Sequence, residues 1–204
     1  GDQEIQPIKE TATLNPKSVY ATTKKISEEI IETQAQRNGL KAISLRYFNP
    51  IGAHKDFIIS DNFEGDNGNI MAMLLRVALG IEEKFNIYGN DYSTSDGTGE
   101  RDYIHISDIV DGHFKALEKL DFVEGHLVYN LGTGSHVSVL KLIKTLENVN
   151  NLTIDYKITS RRSGDLARSF ADPSKANAEL NWEARYNLET MCKDAWEAVK
   201  DGVN

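Results

Sequence analysis

Apolar residues at Val19, Ile26, Ile30 and Ile31 recur at helical spacing and predict a helix from Val19 to about Gln36, with Asn38-Gly39 as its stop. Leu40 to Phe48 reads as a buried strand, ended by Asn49-Pro50-Ile51-Gly52. Residues 53–69 are polar and predict a long loop, a length that usually carries function or disorder. Ile70 to Leu79 predicts a buried helix closed by Gly80, and Phe85 to Tyr88 a short strand. A second loop, rich in Gly, Asp, Ser and Thr, runs from Asn90 to Glu100. Tyr103 to Ile106 is a further strand, and Ser107-Asp108 is placed to cap a helix over 109–120. Then follow a strand from His126 to Leu131, a helix from Ser138 to about Asn148, and a strand from Leu152 to Ile158. A loop over 161–172 leads to helices at 174–180 and 188–199. This alternation predicts an α/β layered fold.

The 204 residues suffice for one large domain or two small ones. A net charge of -8 argues against nonspecific nucleic-acid binding, which needs a basic surface. It leaves room for a small anionic ligand, because a few well-placed arginines outweigh the global field locally. Cys192 is the only cysteine, which excludes an intrachain disulfide, and the five histidines lack metal-ligand spacing, so no metal is expected. No run of about 18 apolar residues is present, so no membrane span is expected and a cytoplasmic setting is the default.

The candidate chemistry starts with Tyr20 and Lys24. Side chains at i and i+4 share a helix face, so the ammonium can approach the phenol and favour its ionised form. A phenolate held in this way accepts a proton from an alcohol. The spacing is common on helices, and it gains weight only from its neighbours. Asn49, at the carboxyl end of a strand, suits a ligand hydroxyl or phosphate, or is a plain Asn-Pro turn. Arg101, leaving a loop, is either a phosphate grip or a surface arginine paired with an Asp. Arg161-Arg162-Ser163-Gly164-Asp165 offers two guanidinium groups for a diphosphate and a carboxylate for ribose hydroxyls. Asn130-Leu131-Gly132-Thr133-Gly134 looks like a dinucleotide loop, but Val137 stands where the third glycine belongs, so a structural strand-to-helix turn is the better reading.

In order along the chain stand Tyr20-Ala21-Thr22-Thr23-Lys24, Leu45-Arg46-Tyr47-Phe48-Asn49-Pro50-Ile51-Gly52-Ala53-His54, Tyr88-Gly89-Asn90-Asp91-Tyr92, Asp96-Gly97-Thr98-Gly99, Arg101-Asp102-Tyr103-Ile104-His105, Tyr129-Asn130-Leu131-Gly132 and Leu180-Asn181-Trp182. Together they resemble the UDP-glucose 4-epimerase family of extended short-chain dehydrogenases/reductases. The resemblance runs from about Asn15 to the C-terminus. It implies a tightly held NAD that oxidises C4 of a UDP-hexose and returns the hydride to the other face. It makes Tyr20 the base, Lys24 its electrostatic partner and a ribose ligand, and Phe48 a neighbour of the cofactor. It places Asn49, Asn69, Ile70, Asn86 and Tyr88 along the UDP-sugar, Arg101 and Arg162 on the diphosphate, and Asp165 on the nucleotide ribose.

Some positions depart from the family pattern. Val19 and Ala21 flank the tyrosine where Pro and Gly are usual, and Gly68 replaces the first Asn of a common pair. Ser169 stands where a large Tyr is often found, which leaves space beside the sugar C2 group and suggests that N-acetylhexosamines also fit. No glycine-rich turn precedes Tyr20; the first half of such a sheet, at about 30 residues per βαβ step, needs on the order of 120 residues. The expectation is therefore the C-terminal part of such an enzyme, a remnant of a Rossmann parallel sheet plus a smaller mixed α/β substrate domain. Residues 1–52 and 101–132 would be the tail of the NAD-binding domain, and 53–100 and 133–204 the UDP-sugar-binding domain. The strand at 41–48 would expose an apolar edge. Alone, the chain is expected to be inactive, and a homodimer or a complement carrying the other half is the expected partner. The alternatives are a noncatalytic UDP-sugar-binding module and another extended sugar-nucleotide reductase.

Overall fold

The computed structural model describes residues 6–54, 56, 68–162 and 164–200. Most of the long loop expected at 53–69 lies outside the described residues.

Helix α1 (Val19–Asn38) begins at Ser18, whose hydroxyl accepts the Ala21 N–H at 3.1 Å. It ends at Gly39, whose left-handed φ of 68° lets its N–H reach the Ala35 carbonyl. Ala35 is the helix's one buried residue, and Val19, Tyr20, Ile26 and Ile30 stay exposed. β1 (Ala42–Tyr47) follows and runs parallel to β6 (His126–Leu131) in a register from Ala42 opposite His126 to Tyr47 opposite Leu131. β6 is the one strand paired with β1 among the described residues, and β1 is at most half-buried. Asn49-Pro50-Ile51 does not simply end that strand. It forms its own strand, β2 (Asn49–Ile51), parallel to β5 (Tyr103–His105). Proline is tolerated there because the flanking N–H groups carry the pairing.

α2 (Ile70–Ala78) is amphipathic and buries Met71, Leu74 and Leu75 completely. β3 (Phe85–Tyr88) pairs in parallel with β8 (Tyr156–Thr159), so the strand expected at 152–158 starts later, after Leu152 and Ile154 have turned into the core. β4 (Glu100–Arg101) sits between β7 (Val137–Ser138) and β9 (Arg168–Ser169), the latter inside the loop expected at 161–172. α3 (Ile106–Leu120) is capped not by Ser107 or Asp108 but by His105, whose Nδ1 accepts the Ser107 N–H at 2.9 Å. Asp108 instead is buried and accepts the Arg185 and Tyr186 N–H groups. α4 (Val139–Asn150), α5 (Ser174–Leu180) and α6 (Leu188–Glu197) follow in chain order.

Two apolar cores result. The larger joins α2, β3, α4 and α6 and takes in Ile51 and Tyr103. The smaller packs Ile104, Ile109, Tyr129 and Leu131 against Ala176, Leu180 and Trp182. The Trp182 indole donates to the Asp108 carbonyl at 2.9 Å, which ties the C-terminal segment to α3. This is a partial Rossmann-type α/β fold with parallel strand pairs.

Candidate functional site

Two cavities meet at Asn49. The first, of about 260 Å³, is lined by Asn49, Ile70, Asn86, Tyr88, Arg101, Arg162 and Asp165, together with Tyr92, Tyr103 and apolar Met73 and Phe85. The second, of about 440 Å³, is lined by Tyr20, Lys24, Phe48, Asn49 and Ser169, with Lys9, Lys25 and Arg46 adding positive charge against Glu28. The residues singled out from the sequence thus fall into two groups that share Asn49. Asn69 lines neither cavity. It caps α2, its side chain accepting the Met71 N–H at 2.9 Å, between cavity residues Gly68 and Ile70.

In the second cavity the Lys24 ammonium lies 5.3 Å from the centroid of the Tyr20 ring, within cation–π range. Tyr20 is 71% exposed, so its hydroxyl is open to a ligand. Arg46 is held by Glu28 at 2.8 and 2.5 Å and is not free for an anion.

In the first cavity the polar groups are unusual. Asn86 Oδ1 and the Tyr92 and Tyr103 hydroxyls are buried without a hydrogen-bond partner among the described residues, and all three side chains line this one space. Burial pushes both phenols up, Tyr103 strongly, so each is an O–H donor at neutral pH. Tyr92 and Tyr103 carried no assigned role in the sequence reading. The signal available for them was their place inside the Tyr88–Tyr92 and Arg101–His105 segments.

The arginines are arranged unequally. Arg101 donates to the Glu100 and Leu166 carbonyls at 2.8 and 2.9 Å and lies 3.8 Å from Asp165, so its position is fixed by the backbone around it. The Arg162 guanidinium lies 3.6 Å from the Tyr88 ring centroid, at the cavity wall. Arg161 does not join it. It pairs with Asp91 at 2.7 Å and covers the Tyr92 ring, and its hydrogen bond to Asp91 holds that carboxyl below the usual range. The nearer carboxylate has taken the guanidinium that the sequence offered to a diphosphate.

The turn after β6 is structural, as the missing third glycine predicts. The Thr133 and Gly134 N–H groups donate to the buried Asp102 carboxylate at 2.9 and 3.2 Å, and the Ser135 N–H to the Thr133 hydroxyl at 3.2 Å. Donors that would cradle a phosphate are occupied by an internal carboxylate. Burial pushes the Asp102 carboxyl up, and hydrogen bonds from Thr133, Ala171 and Gly134 oppose that shift.

Parallel strand pairs with flanking helices make this a partial Rossmann-type α/β protein with an exposed Tyr–Lys pair and an arginine-flanked cavity. The chain belongs to the family described as GDP-mannose 4,6 dehydratase, whose model matches residues 1–195. Several individual relatives are named UDP-glucose 4-epimerases. The chain is 43% identical over 205 residues to a UDP-glucose 4-epimerase of Bacillus subtilis, covering 100% of this chain and 60% of that protein. A UDP-glucose 4-epimerase from Stenotrophomonas maltophila, solved with NAD and a formylated UDP-arabinopyranose, superposes with a TM-score of 0.93 at 40% identity, over 97% of this chain and 59% of that one. The enzyme from Bifidobacterium longum, solved with NAD+ and UDP, gives 0.90 at 37% identity, over 98% of this chain and 60% of that one. The chain therefore spans about 60% of the length of these curated relatives.

Proposed function

We propose that this chain carries the UDP-hexose site and the acid–base pair of a UDP-glucose 4-epimerase, interconverting UDP-glucose and UDP-galactose at C4. The observation that supports this most is the set of three buried, unpartnered polar atoms on Asn86, Tyr92 and Tyr103 around one arginine-flanked cavity. Each such atom costs about 1–3 kcal/mol unless a ligand pairs with it. Arg101 and Arg162 supply charge for the diphosphate, Asp165 an acceptor for ribose hydroxyls, and Tyr88 a flat surface for the base.

The hexose, still attached to the diphosphate, extends past Asn49 into the cavity that holds Tyr20. There the Tyr20 oxygen takes the proton of the C4 hydroxyl and later returns one, while Lys24 stabilises the charge that develops on it. NAD, when bound, supplies a reversible hydride acceptor. Tyr20, Lys24 and Phe48 fit its nicotinamide-ribose end. The Thr133 and Gly134 N–H groups are consumed by Asp102, so the pyrophosphate cradle comes from elsewhere. In this reading residues 1–52 and 101–132 serve the dinucleotide and 53–100 and 133–204 the UDP-sugar. The chain covers about 60% of its curated relatives' length, and a second copy or a complementing segment is proposed to supply the rest of the site. Ser169, lining the Tyr20 cavity, leaves room for an N-acetyl group, so UDP-GlcNAc and UDP-GalNAc are further substrates. The proposed setting is galactose metabolism in the cytoplasm; among the described residues no helix is long and apolar enough to cross a membrane.

Calorimetric titration with UDP, with GDP as control, tests the binding half of the proposal. We expect UDP to bind and GDP to bind at least about tenfold more weakly, a difference of about 1.4 kcal/mol. No heat with millimolar UDP refutes it. UDP binding with no nicotinamide binding even when the complementing segment is supplied favours the second reading, a noncatalytic UDP-sugar module. Parallel assays of the completed enzyme on UDP-glucose and UDP-GlcNAc decide the N-acetyl question.

A further inference from the structure

Asp102 is fully buried and lines neither cavity, yet it holds three chain segments at their junction. Its carbonyl accepts the Asn49 N–H at 2.9 Å, and its own N–H donates to the Ser169 carbonyl at 3.1 Å. Carboxylate oxygen Oδ1 accepts the Thr133 N–H and hydroxyl at 2.9 and 2.7 Å. Oxygen Oδ2 accepts the Gly134 and Ala171 N–H groups at 3.2 and 3.1 Å. Gly132 leaves the space this requires, since a Cβ there would sit 2.6 Å from Oδ2. Four donors converge on one side chain, so only an ionised carboxylate satisfies them all. An asparagine would turn an NH₂ group against N–H donors.

We infer that Asp102 is a positioning residue that sets where the hexose lies relative to Tyr20, an inference that rests on the proposed UDP-hexose site. Of the two residues it holds through its backbone, Ser169 lines the Tyr20 cavity alone and Asn49 lines it where it meets the first. Its side chain fixes Ala171, two residues beyond Ser169, and so controls the exit of β9. The uridine diphosphate contacts are secured by other means. Arg101 is held by the Leu166 carbonyl and Asp165, and Tyr103 by the larger core. Loss of the carboxylate therefore displaces hexose contacts and spares nucleotide contacts.

The test is calorimetry of the chain and its Asp102→Asn variant with UDP and with UDP-galactose. The affinity for UDP is expected to change less than about twofold, and that for UDP-galactose to fall roughly tenfold, the worth of one or two neutral hydrogen bonds. A purely structural residue would weaken both ligands alike. An equal fall, or an unchanged ratio, overturns the inference. If Asp102→Asn does not fold, Thr133→Val removes only the hydroxyl contact, and a fall of roughly threefold in the same ratio supports the inference while no fall overturns it. Failure of the unmodified chain to bind UDP overturns the proposed function, and the inference with it.

Discussion

The Arg162 guanidinium carbon lies 3.6 Å from the centroid of the Tyr88 ring, and both side chains line the same 260 Å³ cavity. A cation over an aromatic face is stabilised by about 0.5–2 kcal/mol, less than a charge-assisted bond to a phosphate. Under the proposed function, the guanidinium leaves the ring for a diphosphate when one arrives. Arg162→Ala is expected to weaken UDP binding by about 1.5–3 kcal/mol, the range for hydrogen bonds to charged groups, and to leave uridine binding nearly unchanged. Calorimetry with both ligands checks this. Equal losses for uridine and UDP would mean that Arg162 acts only on the base.

Gly97 shapes the loop that leads into β4. Its φ is +80°, and a Cβ there would meet the Asn90 carbonyl oxygen at 2.1 Å, a contact with backbone that cannot yield. Gly80 has a similar φ of +71°, but a Cβ at that position would find nothing within 4 Å. Gly80→Ala is expected to cost only the left-handed backbone term, about 1–2 kcal/mol. Gly97→Ala adds a clash and is expected to cost about 3 kcal/mol or more. Urea midpoints of the two variants make the comparison, and similar midpoints would show that the 90–97 turn shifts freely.

Much of this architecture was legible because periodicity and punctuation agree. The α1 stop at Gly39 and the burial of α2 follow from local signals that tertiary structure did not override. What escaped were pairings between distant segments. A two- or three-residue strand such as β2, β4 or β9 has no periodicity to detect and exists only through its partners. Likewise Ser107-Asp108 is a good cap by composition, but Asp108 is drawn to the Arg185 and Tyr186 N–H groups, 77 and 78 residues away, and His105 takes over the cap. Arg161 shows the same limit: it offered a guanidinium suited to phosphate and found Asp91 first, whereas the 132–134 turn is the structural turn that its missing third glycine predicts.

His105 makes stability depend on pH. Its ring is buried, with Nδ1 accepting the Ser107 N–H, Nε2 3.3 Å from Asp194, and Tyr186 stacked at 4.2 Å. Desolvation pushes the imidazole below its usual value, against the opposing pull of Asp194 and Asp108, while His54 adds to the depression. The unfolded chain then binds a proton more readily than the folded one. The stability contribution is full above about pH 6.5 and is lost as pH falls from there through the folded value. Protonation would also remove the acceptor that caps α3. His105→Asn keeps a capping acceptor without the titration. Urea midpoints between about pH 7 and 5 are expected to fall more steeply for the unmodified chain than for the variant. Parallel slopes would exclude His105 as the titrating group.

Tyr20 and Lys24 are proposed to act as a unit, and a unit has a kinetic signature. In the completed enzyme turning over UDP-galactose, Tyr20→Phe removes the proton acceptor and is expected to lower kcat by roughly 10²–10⁴. Lys24→Met leaves the phenol but removes the ammonium now 5.3 Å from its ring, and is expected to lower kcat as well. If the lysine works through the tyrosine, the double variant is no slower than Tyr20→Phe alone, because the second loss has nothing left to act on. Independent roles would instead multiply the two losses. UDP affinity supplies the complementary check. Tyr20 and Lys24 line the second cavity, and the unpartnered polar atoms line the first. Neither substitution should change UDP binding by more than about twofold, well under 1 kcal/mol. A loss of UDP affinity in Tyr20→Phe would place the phenol on the nucleotide and remove the basis for treating it as the C4 base.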